Sequence, residues 1–489
     1  RLATGLSQMK AHLQVMKFGG TSVGDASCIA RVAEIVAKAS RVGPLVVVVS
    51  AMSGVTNRLI EAATCSETGD RERATELLEA LREQHFEALK ILIQNPETRN
   101  LIALGIEELL REAHRLCEGT ALIHELTVRT LDSVSSLGER LSAPLVAGAL
   151  SERGVRSEAV EATGLIVTDS YHGAAEPLME PTQIRCEARL RPLLRQGVVP
   201  VVTGFIGATA EGVLTTLGRG GSDYSATILG GALCADEVII WTDVNGVLTA
   251  DPRLVPGART IPEISYREAA ELAHFGAKVL HPKTLRAVTQ SGIPVWIRNT
   301  FEPEHPGTKI TPQGCSSSAG VKALTAIRDV SLIAVGGPGI VGLPDVVGRT
   351  FSTTSNVRAN VLLISQSSSQ NDICFIVFSS DAKRTVDALR QQFAQDLMHQ
   401  KVEHITLDPN IAIVAVVGEN MRGTVGMAGR TFSVLGRENI NIIAIAQGSS
   451  ETNISFVVSS RDMKRALLAV HQEFALDTRN SQETSSASQ

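Results

Sequence analysis

Lys17-Phe18-Gly19-Gly20-Thr21-Ser22 places a lysine, two glycines and two hydroxyls at the end of an apolar run. Glycines let backbone N–H groups approach phosphate oxygens with no side chain in the way, and the lysine adds a cation for charge that develops during phosphoryl transfer. Taken alone, the six residues also read as a strand-end lysine before a flexible turn. A second glycine-rich turn, Leu217-Gly218-Arg219-Gly220-Gly221-Ser222-Asp223, runs ahead of the helical stretch Ala226 to Leu233. Helix capping accounts for Ser222 or Asp223 but leaves the paired glycines around an arginine unexplained. Arg219 suits two-bond recognition of a carboxylate, and Asp223 suits orientation of a phosphate-bound metal or a cationic amine. Ile240-Trp241-Thr242-Asp243-Val244-Asn245-Gly246 and Ala250-Asp251-Pro252-Arg253 form loops able to bond a nucleotide, and they read equally as Asn-Gly turn chemistry. Lys278, in Phe275-Gly276-Ala277-Lys278, is by itself a solvated helix-end charge. The chain has neither G-x-x-x-x-G-K-[ST] nor the H-R-D and D-F-G sequences, which excludes the P-loop and protein-kinase apparatus.

The elements that must carry these residues alternate. A strand is expected at Leu13 to Phe18, a helix near Ile29 to Ala39 and a strand at Pro44 to Ser50. Further strands are expected at Val198 to Thr203, Glu237 to Trp241 and Ile293 to Arg298, with helices at Ser222 to Leu233, Tyr266 to Phe275 and Pro282 to Ser291. Such alternation predicts one parallel sheet with crossover helices over the first 300 residues, and Lys17 then lies at its ligand-binding edge. Apolar residues at helical spacing between about 71 and 150 mark a helical insertion. Residues 302–320, rich in Pro, Gly and Ser, read as a connector.

The last third is an internal repeat at a constant offset of 81, as between Gln366 and Gln447 or Phe375 and Phe456. Gly348-Arg349-Thr350-Phe351 recurs as Gly429-Arg430-Thr431-Phe432. Each copy reads strand, helix, strand, strand, helix, most of a ferredoxin-like unit. Little chain follows the second copy's last helix, so a strand near Ala323 to Ile327 is expected to fill its open edge. The expected division is a catalytic domain at 13–301, a linker at 302–320, modules at 321–400 and 401–476, and a polar tail at 477–489.

The 489 residues are 44% apolar and 20% charged, with 46 basic and 51 acidic residues interspersed. That balance fits a globular chain and offers no basic stripe for nucleic acid. Seven scattered cysteines without a C-x-x-C pair fit a reducing compartment and free thiols, and the longest apolar run is far short of a membrane span. Arg1 to His12 lack the apolar core of a secretory signal and read as an expression or processing remnant. The expected location is the cytoplasm.

In this order, the segments resemble aspartate kinases of the amino-acid kinase superfamily over about Val15 to Phe474. The resemblance rests on Lys17 to Ser22, Ser50-Ala51 with Thr56-Asn57, Leu137-Gly138-Glu139-Arg140-Leu141, Thr203-Gly204-Phe205, the Gly218 to Ser225 turn, and Trp241-Thr242-Asp243. It implies an amino-acid kinase-like α/β fold with two ACT regulatory domains, and ATP-dependent phosphorylation of the L-aspartate side chain with Mg2+. It assigns catalysis to Lys17 and Asp223, and acceptor binding to Thr56, Glu139, Phe205, Arg219 and Ser222. It assigns nucleotide binding to Gly19, Gly20, Ser22, Thr242, Asp243, Asp251, Arg253 and Lys278, with no protein metal cluster. At Leu248 the family often carries an aromatic residue instead. The paired glutamines and neighbouring isoleucines (Ile364, Gln366, Ile445, Gln447) resemble effector positions, more those of threonine-responsive than of lysine-responsive members. A homodimer or higher oligomer through the ACT domains is implied. The repeat also resembles that of kinases fused to homoserine dehydrogenase. Two other readings remain open: a catalytically inactive amino-acid sensor, and a kinase for a related acid.

Overall fold

A computed structural model describes residues 12–277, 280–315, 320–337, 344–366, 372–421, 423–447 and 452–477. Lys278, nearly all of the first twelve residues and nearly all of the polar tail lie outside them. The chain divides into two compact units. The first comprises residues 1–247, 262–266 and 279–314, and the second 248–261, 267–278 and 315–489.

In the first unit the strands are β1 (Gln14–Phe18), β2 (Leu45–Val49), β3 (Ser157–Val160), β4 (Val199–Thr203), β5 (Ile206–Ala208), β6 (Leu214–Thr216), β7 (Glu237–Thr242), β8 (Glu263–Ser265), β9 (Val295–Asn299) and β10 (Thr308–Thr311). Eight of them form one sheet in the order β3-β4-β2-β1-β7-β9-β10-β8, parallel throughout except where β10 runs against β9. The parallel sheet expected from the alternation is present. The segment read as a connector contains β10, whose Thr-Lys-Ile-Thr alternation buries Thr308 and Ile310. The β5–β6 hairpin, β3 and β8 are too short for a visible period. The helices are α1 (Ala26–Ala39), α2 (Val55–Glu67), α3 (Arg71–Leu92), α4 (Pro96–Ile123), α5 (Val128–Ser135), α6 (Leu137–Ser151), α7 (Met179–Arg195), α8 (Gly221–Ala232), α9 (Tyr266–His274) and α10 (Arg286–Thr289). The insertion at 71–150 is thus α3 to α6. Its Leu77, Leu78, Leu81, Ile106 and Leu110 join Phe18, Val47, Val49 and Trp241 in one core on one face of the sheet.

Strand alternation decides where Lys17 goes. Met16 and Phe18 belong to that core, with Phe18 stacked on Trp241 at 5.9 Å between ring centres. Lys17 therefore leaves β1 on the opposite face, where α8 packs against β1 and β7.

The second unit's six-stranded sheet has the order β12-β13-β11-β14-β16-β15. Its strands are β11 (Ala323–Gly336), β12 (Val361–Gln366), β13 (Asp372–Phe378), β14 (His404–Val417), β15 (Ala444–Ala446) and β16 (Asn453–Ser459). Its helices are α11 (Pro344–Asn356), α12 (Ser379–Gln392), α13 (Ala394–Met398), α14 (Met427–Arg437) and α15 (Met463–Glu473). The repeat persists in the packing. Phe351 meets Phe375 edge-on at 5.5 Å as Phe432 meets Phe456 at 6.2 Å, and Arg349 covers Phe393 at 4.4 Å as Arg430 covers Phe474 at 4.5 Å.

Ala323 to Ile327 pair with Ile413 to Val417 of the second copy, so the edge strand expected ahead of the repeat is there. The rest of β11 belongs to the first copy, pairing with β13 and with His404 to Asp408. The two long strands thus each serve both modules and change allegiance at a register break around Asp329, whose φ is +56°. Ala250 and Val255 lie in the second module's core beside Val414 and Leu435, which explains why residues 248–261 cluster with this unit.

Candidate active site

The carboxyl ends of β1, β2, β4 and β7 open on a cavity of about 750 Å3, as parallel-sheet topology requires of a ligand site. Three helices present their amino ends to it, α2, α6 and α8, and their unpaired N–H groups favour anions. Lys17 lies 8% exposed with its Nζ 2.5 Å from Asp223 Oδ1. Asp223 sits in the first turn of α8, where a carboxylate is favoured by the helix dipole. The ion pair fixes the ammonium over Gly19, where an added Cβ would stand 3.3 Å from Nζ.

The turn before α8 needs its glycines. Gly218 and Gly220 have φ of +75° and +73°, and a Cβ at Gly221 would come within 2.7 Å of the Phe205 ring. Phe205 itself holds φ +68°, uncommon outside glycine, and is clamped by Ser225 Oγ, which accepts from its N–H at 2.9 Å. Leu217 N–H donates to the Phe205 carbonyl, also at 2.9 Å.

Glu139 enters from the first turn of α6. The helix closes on the end of β2 because residue 138 is glycine: a Cβ there would lie 2.7 Å from Ala51 Cβ. Ser142 Oγ donates to the Ser50 carbonyl at 2.7 Å, and Ala51 N–H donates to Glu139 Oε1 at 3.2 Å. Glu139 Oε2 is buried with no partner among the described residues. Burial pushes the Glu139 carboxyl up to about 8, against the opposing pull of the Ala51 N–H and the Lys17 charge. A buried acid with one free oxygen is poised to accept a cationic group from a ligand.

The cavity brings together Lys17, Gly19, Gly20, Thr56, Glu139, Phe205, Arg219, Ser222, Asp223, Thr242 and Asp243. Ser22 is turned away, fully buried with its Oγ 2.7 Å from Thr300 Oγ1. Asp251 and Arg253 belong to the second unit, where they bond to each other, Nη2 to Oδ2, at 2.7 Å. Ile364 and Ile445 occupy equivalent, exposed positions on β12 and β15, the outer strands of the second unit's sheet, which approach each other. Gln366 and Gln447 are exposed beside them.

Two cavity residues escape a motif search. Asp132, on α5, and Thr216, at the end of β6, both line the wall near Arg219. The available signal was an acid set between Leu131 and Val134, two helical turns before Glu139.

The amino acid kinase family model matches residues 12–299, and the ACT domain model matches 333–393 and 414–474. The chain belongs to the amino acid kinase family. Aspartokinase 1, chloroplastic, of Arabidopsis thaliana is 32% identical, with 94% of this chain and 80% of the relative covered, which places the chain among the aspartokinases. The chloroplastic bifunctional aspartokinase/homoserine dehydrogenase of Daucus carota is 37% identical over 96% of this chain and 52% of its own length. The chain spans about half the length of the bifunctional relatives it matches. Escherichia coli aspartokinase III, solved with aspartate and ADP, is 33% identical, with 94% of this chain and 99% of that one covered and a TM-score of 0.78. The same enzyme has been solved with lysine and aspartate. Among the described residues no helix is long and apolar enough to cross a membrane.

Proposed function

We propose that this chain transfers the γ-phosphoryl group of ATP to the side-chain carboxylate of L-aspartate, and that its repeat senses an end-product amino acid. The observation that carries the catalytic reading is the meeting of Lys17, Asp223, Arg219 and Glu139 in one cavity at the carboxyl edge of the sheet. A carboxylate is already nucleophilic at neutral pH, so no general base is needed. Positioning and charge neutralisation supply the rate. Arg219 grips the acceptor's α-carboxylate through two bonds, and Glu139, ionised on docking, takes its ammonium. Lys17, held by Asp223, faces the transferred phosphoryl group. The glycines of 19–20 and the loop at Thr242 and Asp243 cradle the nucleotide, with Lys278 assigned to it on the resemblance alone.

No group of three or more His, Cys, Asp or Glu able to hold a metal occurs among the described residues. Asp223 and Asp243, both lining the cavity, fit a magnesium ion that arrives already bound to the nucleotide phosphates. When bound, the ion offsets phosphate charge. Release of ADP, coupled to an optical readout, with L-aspartate, L-glutamate and no acid as acceptors tests the function. Turnover with aspartate alone supports it, turnover with another acid reassigns the substrate, and none with any acid leaves the inactive sensor.

For regulation, Gln366 and Gln447 carry both donor and acceptor at equivalent ends of the two outer strands, which approach each other, suited to a small polar effector. Threonine is the first choice and lysine the second. Inhibition at a distance requires two conformations of different effector affinity, which a homodimer or higher oligomer through the ACT modules provides. Activity against threonine and lysine, in the wild type and in Gln366→Ala and Gln447→Ala, checks this. Threonine inhibition that survives loss of both glutamines removes their role.

A further inference from the structure

Asp132 is 2% exposed, yet it lines the cavity and bonds to three residues on two separate segments of the chain. Thr216 Oγ1 donates to its Oδ1 at 2.5 Å, Gly173 N–H donates to both oxygens at 3.1 Å, and His172 Nδ1 lies 2.8 Å from Oδ2. Each partner belongs to a piece of the wall that bears Arg219. Thr216 ends β6, three residues before Arg219, and its carbonyl accepts from Ala175 N–H at 2.9 Å. The loop through Gly173 and Ala174 in turn touches the Arg219 turn: a Cβ at Gly218 would stand 3.0 Å from the Gly173 carbonyl and 3.3 Å from Ala174 Cα. The helix that carries Asp132 presents Val128, Leu131 and Ser135 to the same cavity. One buried carboxylate therefore joins α5, the 172–175 loop and the strand leading to Arg219.

We infer that Asp132 is a positioning residue for the acceptor acid, holding the Arg219 turn in register with Glu139 through Thr216 and the Gly173 loop. The inference rests on the reading of Arg219 as the acceptor's carboxylate clamp. Asp132 has the right chemistry for a hub because a carboxylate offers two acceptor oxygens, and the donors converging on it come from backbone and side chain alike. Removing one donor frees the turn to shift. A shift of about 1 Å at a clamp weakens the grip on the acceptor while leaving the nucleotide wall at Gly19 and Thr242 in place.

The test uses the full chain and Thr216→Val, Thr216→Ser and Asp132→Asn. Steady-state KM is measured for L-aspartate and for ATP, with tryptophan fluorescence following thermal unfolding. Thr216→Val keeps the side-chain shape and loses the donor, so KM for aspartate should rise about tenfold while KM for ATP changes less than about twofold. Thr216→Ser restores the hydroxyl and should return KM for aspartate to within about threefold of wild type. Asp132→Asn should change KM in the same direction as Thr216→Val, moderated because His172 can exchange tautomers to accept from the new amide, and it serves if the valine variant does not fold. Wild-type KM for aspartate in both Thr216→Val and Asp132→Asn, or an equal rise in both Michaelis constants, overturns the inference. A wild-type chain that turns over no aspartate overturns the proposed function instead. Calorimetric titration of L-aspartate into the wild type and the same variants then decides the positioning role, and variants that bind aspartate as tightly as the wild type overturn it.

Discussion

Replacing Glu139 by glutamine should stabilise the first unit more at alkaline than at acid pH. In the folded protein the carboxyl titrates at about 8 instead of its ordinary 4.5, chiefly because it is buried. Below pH 4.5 both folded and unfolded chains carry the proton. Between the two values only the folded chain carries it, so unfolding releases a proton and stability falls by about 1.4 kcal/mol per pH unit. Above 8 both forms are ionised and the loss levels off. Between pH 5 and pH 9 the wild type should therefore lose on the order of 4 kcal/mol through this group alone. Glutamine has the shape of the protonated acid and can accept the Ala51 N–H bond, but it cannot ionise. The difference between the two proteins cancels the other titrating groups. Both tryptophans, Trp241 and Trp296, lie in the eight-stranded sheet, so urea unfolding followed by their fluorescence reports on this unit. The advantage of Glu139→Gln over wild type should grow by about 4 kcal/mol from pH 5 to pH 9. An advantage that stays constant, or grows towards acid pH, would refute the argument from burial.

Lys17→Ala should lower turnover by about a hundredfold or more while KM for aspartate moves little, since in the proposed role the ammonium acts on charge formed during transfer. Steady-state kinetics check this, and wild-type turnover with only a raised KM for ATP would remove the role. Arg219→Lys keeps the charge and loses the planar fork, so KM for aspartate should rise more than KM for ATP; equal effects on both would show the clamp assignment to be wrong. In the second unit, Lys322 Nζ meets Glu268 Oε2 at 2.9 Å, with the side chains 6% and 1% exposed. Lys322→Met removes the cation that a buried carboxylate faces and should destabilise this unit by about 3–5 kcal/mol. Hydrogen exchange in Ala323 to Ile327 reads that loss, and Lys322→Met with Glu268→Leu should recover most of it. Unchanged protection in the single variant would refute it.

The sheet of the first unit was legible because a parallel strand buried on both faces shows as an apolar run, such as Leu45 to Val49, and a helical period follows β1 and β2. The strand at Thr308–Thr311 was not. Its four residues sit after Pro306-Gly307, where composition suggests a loop and only pairing with β8 and β9 creates a strand. Likewise nothing local in residues 248–261 announces that Ala250 and Val255 pack with the second module, because partner choice is a property of the folded core. In the site, Lys17 and Asp223 were visible since glycines that must admit backbone or ring contacts accompany them. Ser22 belonged to the same signature, yet the structure spends its hydroxyl on Thr300. Asp132 carries no turn chemistry of its own. Its meaning comes from Thr216 and Gly173, which approach it only after the chain has folded.

The two long strands of the second unit also dictate an order of assembly. Ile327 and Ile413 are neighbours across β11 and β14 although the whole first module separates them along the chain. That module's own first and last strands, Val330 to Gly336 and His404 to Asp408, lie side by side, so once it closes it delivers the two distant segments to each other already antiparallel. The entropy of closing the long loop is then met by the inner module, and the outer one needs only local zipping. A lesion in the inner module should leave the outer one without a template. A nascent chain should gain protease resistance first between about 330 and 408, and only afterwards along Ala323 to Ile327.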